Sequence, residues 1–534
     1  MDSLADRFLA PGERGNDSTS IDRDLAPGTA WTTGNLVELA RHGAPYFTRL
    51  LELLGEMAGG DELFITDWRG DDDERLGDAG PTLVETLVGV ARRGVKVRGL
   101  LWRSHPQFLG FSQGTHGDLA RSVNEQGGEM LLDQRVRRGG SHHQKLVLLR
   151  HRGRPELDVA FVGGIDLCHG RRDDETHRGD PQAERLDPAY GARPPWHDLQ
   201  AEIRGPAVGQ LYETFRERWN DRTPLERRGF RLPRIVAHRT KEPPLPDPIP
   251  AAGVSATSPG AAAVQVLRTY PTKRPAYPFA PDGERSIARF YGKTLKQARS
   301  LLYVEDQYFW SNEIARLYET ALGDAPDLRL IVVVPRHPDH NGAISGPASR
   351  IGQITMMRRI HAVAPERVAF YDLENERGDA IYVHAKAVIA DDVLAVVGSD
   401  NMNRRSWTHD SELSLAIVDG ECDEREPADP AGDGEGARRF ARELRLKLWR
   451  EHLGVESDDG LIDPLEGFRR FKESAEALDA WHDGGGAGPR PPGRLRTHRP
   501  RAVKGWQRAW AWPLYRAIVD PDGRPRGLRR DGAF

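Results

Sequence analysis

Residues 381–401, IYVHAKAVIADDVLAVVGSDN, run from His384-Ala385-Lys386 through two short apolar stretches, separated by Asp391-Asp392, to Gly398-Ser399-Asp400-Asn401. Residues 140–166, GSHHQKLVLLRHRGRPELDVAFVGGID, repeat that order. His143-Gln144-Lys145 leads to the apolar run 146–149, a polar turn over 150–156, a second run 158–162 and Gly163-Gly164-Ile165-Asp166. Lysine is scarce, 10 residues against 66 arginines. Two His-x-Lys triplets in matching contexts therefore read as one half-site used twice. Residues i and i+2 of a strand share a face, so each triplet is expected to present an imidazole beside an ammonium. The apolar runs suit strands buried on both faces, and the glycines beyond them suit close approach of backbone to a ligand.

The repetition continues upstream. Helices are expected over 44–57 and 81–93, and strands over 62–68 and 95–102. The second set is helices over 284–299 and 312–322 and strands over 301–306 and 328–335. The same order at nearly the same offset argues for internal duplication. The fold class that follows is α/β: two similar lobes, each a mixed β-sheet flanked by helices and related by a pseudo-twofold axis. The expected division is an N-terminal extension 1–29, a first lobe 30–238, a Pro/Ala/Ser-rich linker 239–263, a second lobe 264–480 and a basic arm 481–534.

A chain of 534 residues holds more than one ordinary core. Cys168 and Cys422 exclude a disulfide framework. No basic n-region with an apolar h-region opens the chain, and no apolar run reaches the roughly 20 residues that span a bilayer. The expected location is cytoplasmic, with a peripheral place on a membrane as the variant. The net charge of −4 hides an asymmetry, because residues 490–534 hold twelve Lys or Arg and three Asp. That segment is +9 and the rest about −13.

Two facing His-Lys pairs suit in-line displacement at a phosphodiester. One neutral imidazole attacks while the other, protonated, donates to the leaving oxygen. Two lysines neutralise the non-bridging oxygens as charge builds, so the reading calls for no metal or cofactor.

Together these motifs resemble the phospholipase D superfamily, closest to its eukaryotic-type members. The second half carries the pattern His-x-Lys-x4-Asp-x6-Gly-Ser-x-Asn intact, followed by Arg404-Arg405-Ser406 and Asp410-Ser411-Glu412. FVGGIDLCHGRRD (161–173), PPWHDLQAEIRGPAV (194–208) and YVEDQYF (303–309) match further blocks. The resemblance spans about residues 30 to 455. It implies a nucleophilic His143, a general acid His384, and phosphate binding by Lys145, Lys386 and Asn401 with Ser399 near. Asp166 and Gly164 occupy the first half's counterparts of that binding segment. Glu412 is placed to orient His384, and Asp198 to orient His143. Arg150 stands where the first motif should have Asp, whose task looks structural and for which Asp158 can substitute.

The implied activity is cleavage of a glycerophospholipid headgroup ester at a membrane surface, by water or with an alcohol as acceptor, by a monomer needing no nucleic acid. A cardiolipin-synthase-like transferase is the alternative, and a nuclease of the superfamily the third. In the C-terminal arm Trp506 and Trp510 share a face if helical, followed by Trp512 and Tyr515 among arginines. Packing on the acidic body, contact with an anionic membrane and nucleic-acid binding all fit that pattern.

Overall fold

The computed structural model describes residues 2–104, 113–225, 245–251, 257–339 and 345–534. The first half contributes β1 (Thr32–Arg41), β2 (Glu62–Asp67), β3 (Lys96–Trp102), β4 (Glu129–Asp133), β5 (Leu146–Arg150), β6 (Val159–Gly163), β7 (Trp196–His197) and β8 (Leu199–Arg204). The second contributes β9 (Ala262–Tyr270), β10 (Glu284–Arg285), β11 (Leu301–Glu305), β12 (Arg329–Val333) and β13 (Val368–Glu374). It continues with β14 (Ala380–Val383), β15 (Ala387–Ala390), β16 (Leu394–Gly398), β17 (Glu412–Val418) and β18 (Leu495–Thr497).

Hydrogen bonding orders the first sheet β4-β3-β2-β5-β6-β8-β1, with β2, β3 and β4 parallel and the rest antiparallel. The second sheet runs β13-β12-β11-β15-β16-β17-β9, with the parallel and antiparallel pairs in the same places. The two halves thus repeat one mixed topology strand for strand. They join where Thr32 and Asn35 of β1 pair with Val264 and Ala262 of β9.

Both faces of each sheet are covered, which is why the strands read as continuous apolar runs. In the first half Leu63, Ile65, Val147 and Phe161 pack beneath the helices Gly43–Glu56, Leu83–Arg92 and Gln113–Asn124. The alternate residues Phe64, Leu148 and Val162 meet the helix Ala207–Trp219 together with Val264, Leu413 and Leu415 of the second half. In the second half Leu302, Val304 and Val388 lie under helices Ser286–Gln297, Asn312–Asp324 and Ser345–Val363. Tyr303, Ile389 and Val397 lie under Arg439–Leu453 and Pro464–Asp483. The expected helices and strands are all present, with shifts at their ends that have local causes. Leu83, not Pro81, opens its helix because Thr82 caps it, accepting from the Glu85 amide in a capping box. The helix expected from Glu284 starts at Ser286, because Glu284 and Arg285 pair with β9.

The turn after β15 places Asp391 and Asp392 at φ +53° and +58°, the left-handed pair of a tight hairpin. The Asp391 carboxylate accepts from the amides of Arg299, Ser300 and Leu301, so its task is structural. In the first half Asp158 accepts from the His151 amide, and Asp61 from those of Ala58 and Arg152. Two carboxylates there share the work of one.

The terminal segments belong to the second half more closely than the sequence division suggests. Phe8 and Leu9 sit in its helical core, and the buried Arg14 bonds the Val266 carbonyl and Glu284. The helix Pro464–Asp483 crosses the boundary expected at 480, and β18, within the expected arm, adds to the sheet beside β13. Of the expected linker, 239–244 and 252–256 lie outside the described residues, and Ala262 and Ala263 already belong to β9. Among the described residues, no helix is long and apolar enough to cross a membrane.

Candidate active site

The two triplets sit in the links just before β5 and β15 rather than within strands. Leaving the ladder frees their backbone to bond the opposite half. The His143 amide donates to the Ser411 carbonyl at 2.9 Å, and the Ser411 amide to Ser141 at 3.0 Å. Likewise the His384 amide donates to the His197 carbonyl at 2.8 Å, and β14 pairs in parallel with β7. Each histidine is therefore fixed beside the segment that opens β17 or β8 of the other half, at Glu412 or just before β8 at Asp198.

This reverses the expected orienting pairs. His143 Nδ1 lies 2.9 Å from Glu412 Oε2, and His384 Nδ1 lies 2.6 Å from Asp198 Oδ2. The cause is the exchange of backbone bridges, which overrides proximity in sequence. Both carboxylates are buried, and each leaves Nε2 of its histidine uncommitted to that bond. Burial pushes the His384 ring down to about 3, with Lys386 acting in the same direction against Asp198. Such a ring is neutral near pH 7, with Nδ1–H donating to Asp198 and a lone pair on Nε2.

Both histidines line one cleft of about 370 Å³. Each lysine folds back to donate to the carbonyl of its own histidine. Lys145 is ion-paired with Asp166 at 2.9 Å, whereas Lys386 bonds the neutral Gln307 Oε1 at 3.2 Å. Burial lowers the Lys386 ammonium to about 8, against Asp198 and with the help of the Lys145 charge. Asp166 and Asn401 are equivalent: the next amides, of Leu167 and Met402, bond Asp67 and Asp306 respectively. Burial and then the Asp166 charge push Asp67 well above the ordinary carboxyl range, while Lys145 and Arg171 outweigh burial and hold Asp166 below it.

The substrate-binding set divides. Asn401 lines the cleft, and its buried Oδ1 has no hydrogen-bond partner among the described residues. Ser399 instead donates to Glu412 Oε2 at 2.6 Å and accepts from the Leu413 amide, so it braces the orienting acid. Gly164 faces Asp198: a Cβ there would lie 2.1 Å from Asp198 Oδ1. Its close approach is to the protein's own carboxylate. Asp166 is spent on Lys145.

Sequence reasoning missed several residues of the cleft. Trp68 lies 6.0 Å from the His143 ring and 5.8 Å from the Lys145 Nζ. Gln307 is its equivalent, since Thr66 and Glu305, two residues earlier, pair with Leu146 and Ala387 directly after the two lysines. The Trp196 ring lies 5.0 Å from the His384 ring, tilted by 39°, and its indole N–H donates to Asp198 at 3.3 Å. The shared signal was position: Trp68 follows β2, Gln307 follows the equivalent β11, and Trp196 precedes the orienting Asp198 by two residues.

Behind the cleft lies a buried seam of histidines and glutamates. Glu305 bonds His197 at 2.7 Å and His452 at 2.8 Å, and Glu451 bonds His177 at 3.0 Å and His42 at 3.2 Å. Burial disfavours charge on His197, but Glu305 and Glu451 outweigh it and raise its pKa to about 10. His42, His177, His197 and Glu451 have metal-ligand spacing, yet Arg41 already sits 2.7 Å from Glu451 and supplies positive charge there.

The model of the phospholipase D family matches residues 82–316 and 359–482, more than half of the chain. The protein belongs to the phospholipase D family. Phospholipase D alpha 2 of Oryza sativa subsp. japonica is 26% identical over 552 residues, covering 80% of this chain and 65% of the relative. Phospholipase D1 of Schizosaccharomyces pombe is 27% identical over 395 residues, covering 60% of this chain and 28% of the relative. The chain therefore spans less than two thirds of the length of these curated relatives. Phosphatidylserine synthase of Haemophilus influenzae shares the fold, with a TM-score of 0.50 at 14% identity over 72% of this chain and 82% of that one.

Proposed function

We propose that this protein is a phospholipase D-type phosphodiesterase that cleaves the headgroup ester of a glycerophospholipid through a phosphohistidine. The observation that carries the reading is the convergence of His143 and His384 on one cleft, each ring oriented by a carboxylate of the opposite half. Nε2 of His143 forms a bond to phosphorus as the P–O bond to the headgroup breaks. The proton held by His384 passes to the departing oxygen. Water then loses its proton to His384 and attacks phosphorus, the N–P bond breaks, and phosphatidic acid leaves. With an alcohol in place of water the product is the corresponding phosphatidyl ester. Lys145, Lys386 and the Asn401 side-chain amide serve the non-bridging oxygens.

His384 is neutral at rest, so its acid form must be loaded as substrate binds. The phosphodiester's negative charge opposes that of Lys386 and raises the proton affinity of the ring. The test is incubation with phosphatidylcholine and ethanol. Free choline with phosphatidylethanol is the expected outcome, and phosphatidylglycerol and single-stranded DNA run beside it separate a dedicated transferase and a nuclease. His143→Ala and His384→Ala each abolish turnover, while Cys168→Ala retains it. Activity persisting in either histidine variant refutes the two-histidine reaction.

A further inference from the structure

The helix Gly505–Leu514 and the turn Tyr515–Val519 lie against the helix Ser345–Val363, with Ala511 and Tyr515 buried against Ile351, Ile354 and Trp310. Between these elements runs a second groove of about 260 Å³, separate from the catalytic cleft. Ile351, Ile354, Val503 and Trp512 line it apolarly, and Arg358 and Arg508 stand at it without a carboxylate partner among the described residues. Arg359, by contrast, is tied to Glu319. Residues 501–519, RAVKGWQRAWAWPLYRAIV, hold four cations and no carboxylate in a protein of net charge −4. Trp506 is 68% exposed and Ile518 61%, two of the few large apolar side chains left in water.

Location decides what this surface is for. Ile518, Val519 and Ser349 also line the catalytic cleft, so the elements that build the groove form one lip of its mouth. An exposed indole, an exposed isoleucine and unpaired guanidinium groups on one lip are the chemistry that seats at an anionic lipid interface. We propose that the 501–519 segment and the helix Ser345–Val363 form a docking face for an anionic phospholipid bilayer, with Trp506 and Ile518 entering the interface and Arg358 and Arg508 taking lipid phosphates. The face holds the catalytic cleft against the surface from which a lipid would enter it. This rests on the phospholipase reading for its purpose, but not for its measurement.

Co-sedimentation with vesicles, run in the His143→Ala background so that no phosphatidylcholine is converted to phosphatidic acid, tests it without turnover. The full chain binds vesicles of phosphatidylcholine and phosphatidic acid at 4:1 at least about tenfold more tightly than pure phosphatidylcholine, and the difference shrinks as salt screens the charges. Trp506→Ala and Arg508→Glu, neither of which lines the catalytic cleft, each lower that affinity about tenfold. With His143 intact, turnover follows on vesicles, whereas turnover of monomeric short-chain phosphatidylcholine stays within about twofold of the parent and shows that the variants fold. Equal binding to neutral and anionic vesicles, or unchanged binding in both variants, overturns the docking face. Absence of short-chain turnover in the parent overturns the phospholipase reading instead and leaves the binding result standing.

Discussion

Nδ1 of His384 lies 2.6 Å from Oδ2 of Asp198, a residue of the other half of the chain. Its counterpart, His143 with Glu412, crosses the same seam in the opposite direction at 2.9 Å. Neither half holds both a histidine and the carboxylate that orients it. The duplication thus yields one site with interlocked parts, not two copies of a site.

Asp198→Asn and Glu412→Gln keep the shape of the orienting group but remove its charge and its preference for an Nδ1–H donor. Each is expected to lower kcat by about 10²–10⁴-fold with little change in KM, by analogy with loss of the orienting carboxylate in hydrolytic triads. Rapid quench and mass mapping of the phosphorylated peptide check the assignment. The label falls on His143, and Glu412→Gln slows its appearance. A label on His384 would exchange the roles.

Lys386 is cationic below about 8 and loses its charge as pH rises through that value. Phosphate binding needs the cation, so kcat/KM should fall on the alkaline side with an apparent pKa near 8. Lys386→Arg, which stays charged, removes that limb from the pH profile even if it lowers the plateau. A limb that persists unchanged in Lys386→Arg belongs to another group.

Asp166→Asn strips Lys145 of its buried counter-ion. An uncompensated buried ammonium costs about 3 kcal/mol, so the free protein should melt earlier. Inorganic phosphate or vanadate should recover more of that loss than it adds to the parent, because it replaces the missing negative charge. Thermal scans with and without the anion read both effects. Equal anion shifts in parent and variant would show that Lys145 does not face the phosphate.

His197 has a folded-state pKa of about 10, above the ~6.5 of an unfolded chain. Its contribution is complete below the unfolded value and is lost as pH rises through the folded one. Stability should therefore decline between about pH 6.5 and 10, on the order of 1 kcal/mol per pH unit at most. His197→Gln keeps a donor toward Glu305 without the charge and flattens the decline. Denaturant melts at pH 7 and 9.5 measure it, and an equal slope in the variant would place the titration elsewhere.

The Asp391 turn and the order of the paired strands were legible because local chemistry sets them, whereas two helices start later than expected, at Leu83 and Ser286. Asp391 lies within bonding reach of Ser300 and Leu301 once β15 pairs with β11, and Thr82 caps its own helix. The exchange of Asp198 and Glu412 was not. Glu412 follows His384 by 28 residues and Asp198 follows His143 by 55, so linear distance favours the wrong partners. Gly164 and Ser399 misled for a related reason. The first vacates space for Asp198 and the second bonds Glu412, contacts that exist only after two separate strands meet.

The amino-acid sequence alone determined the duplicated mixed sheet, the two His-Lys pairs and the class of chemistry, because strand periodicity and motif spacing are local properties of the chain. Only the tertiary structure decided which carboxylate serves which histidine, which lysine keeps an unneutralised charge, and that Ile518 lies exposed at the edge of the cleft. Those outcomes depend on backbone bridges and packing between segments hundreds of residues apart, and no spacing along the chain encodes them.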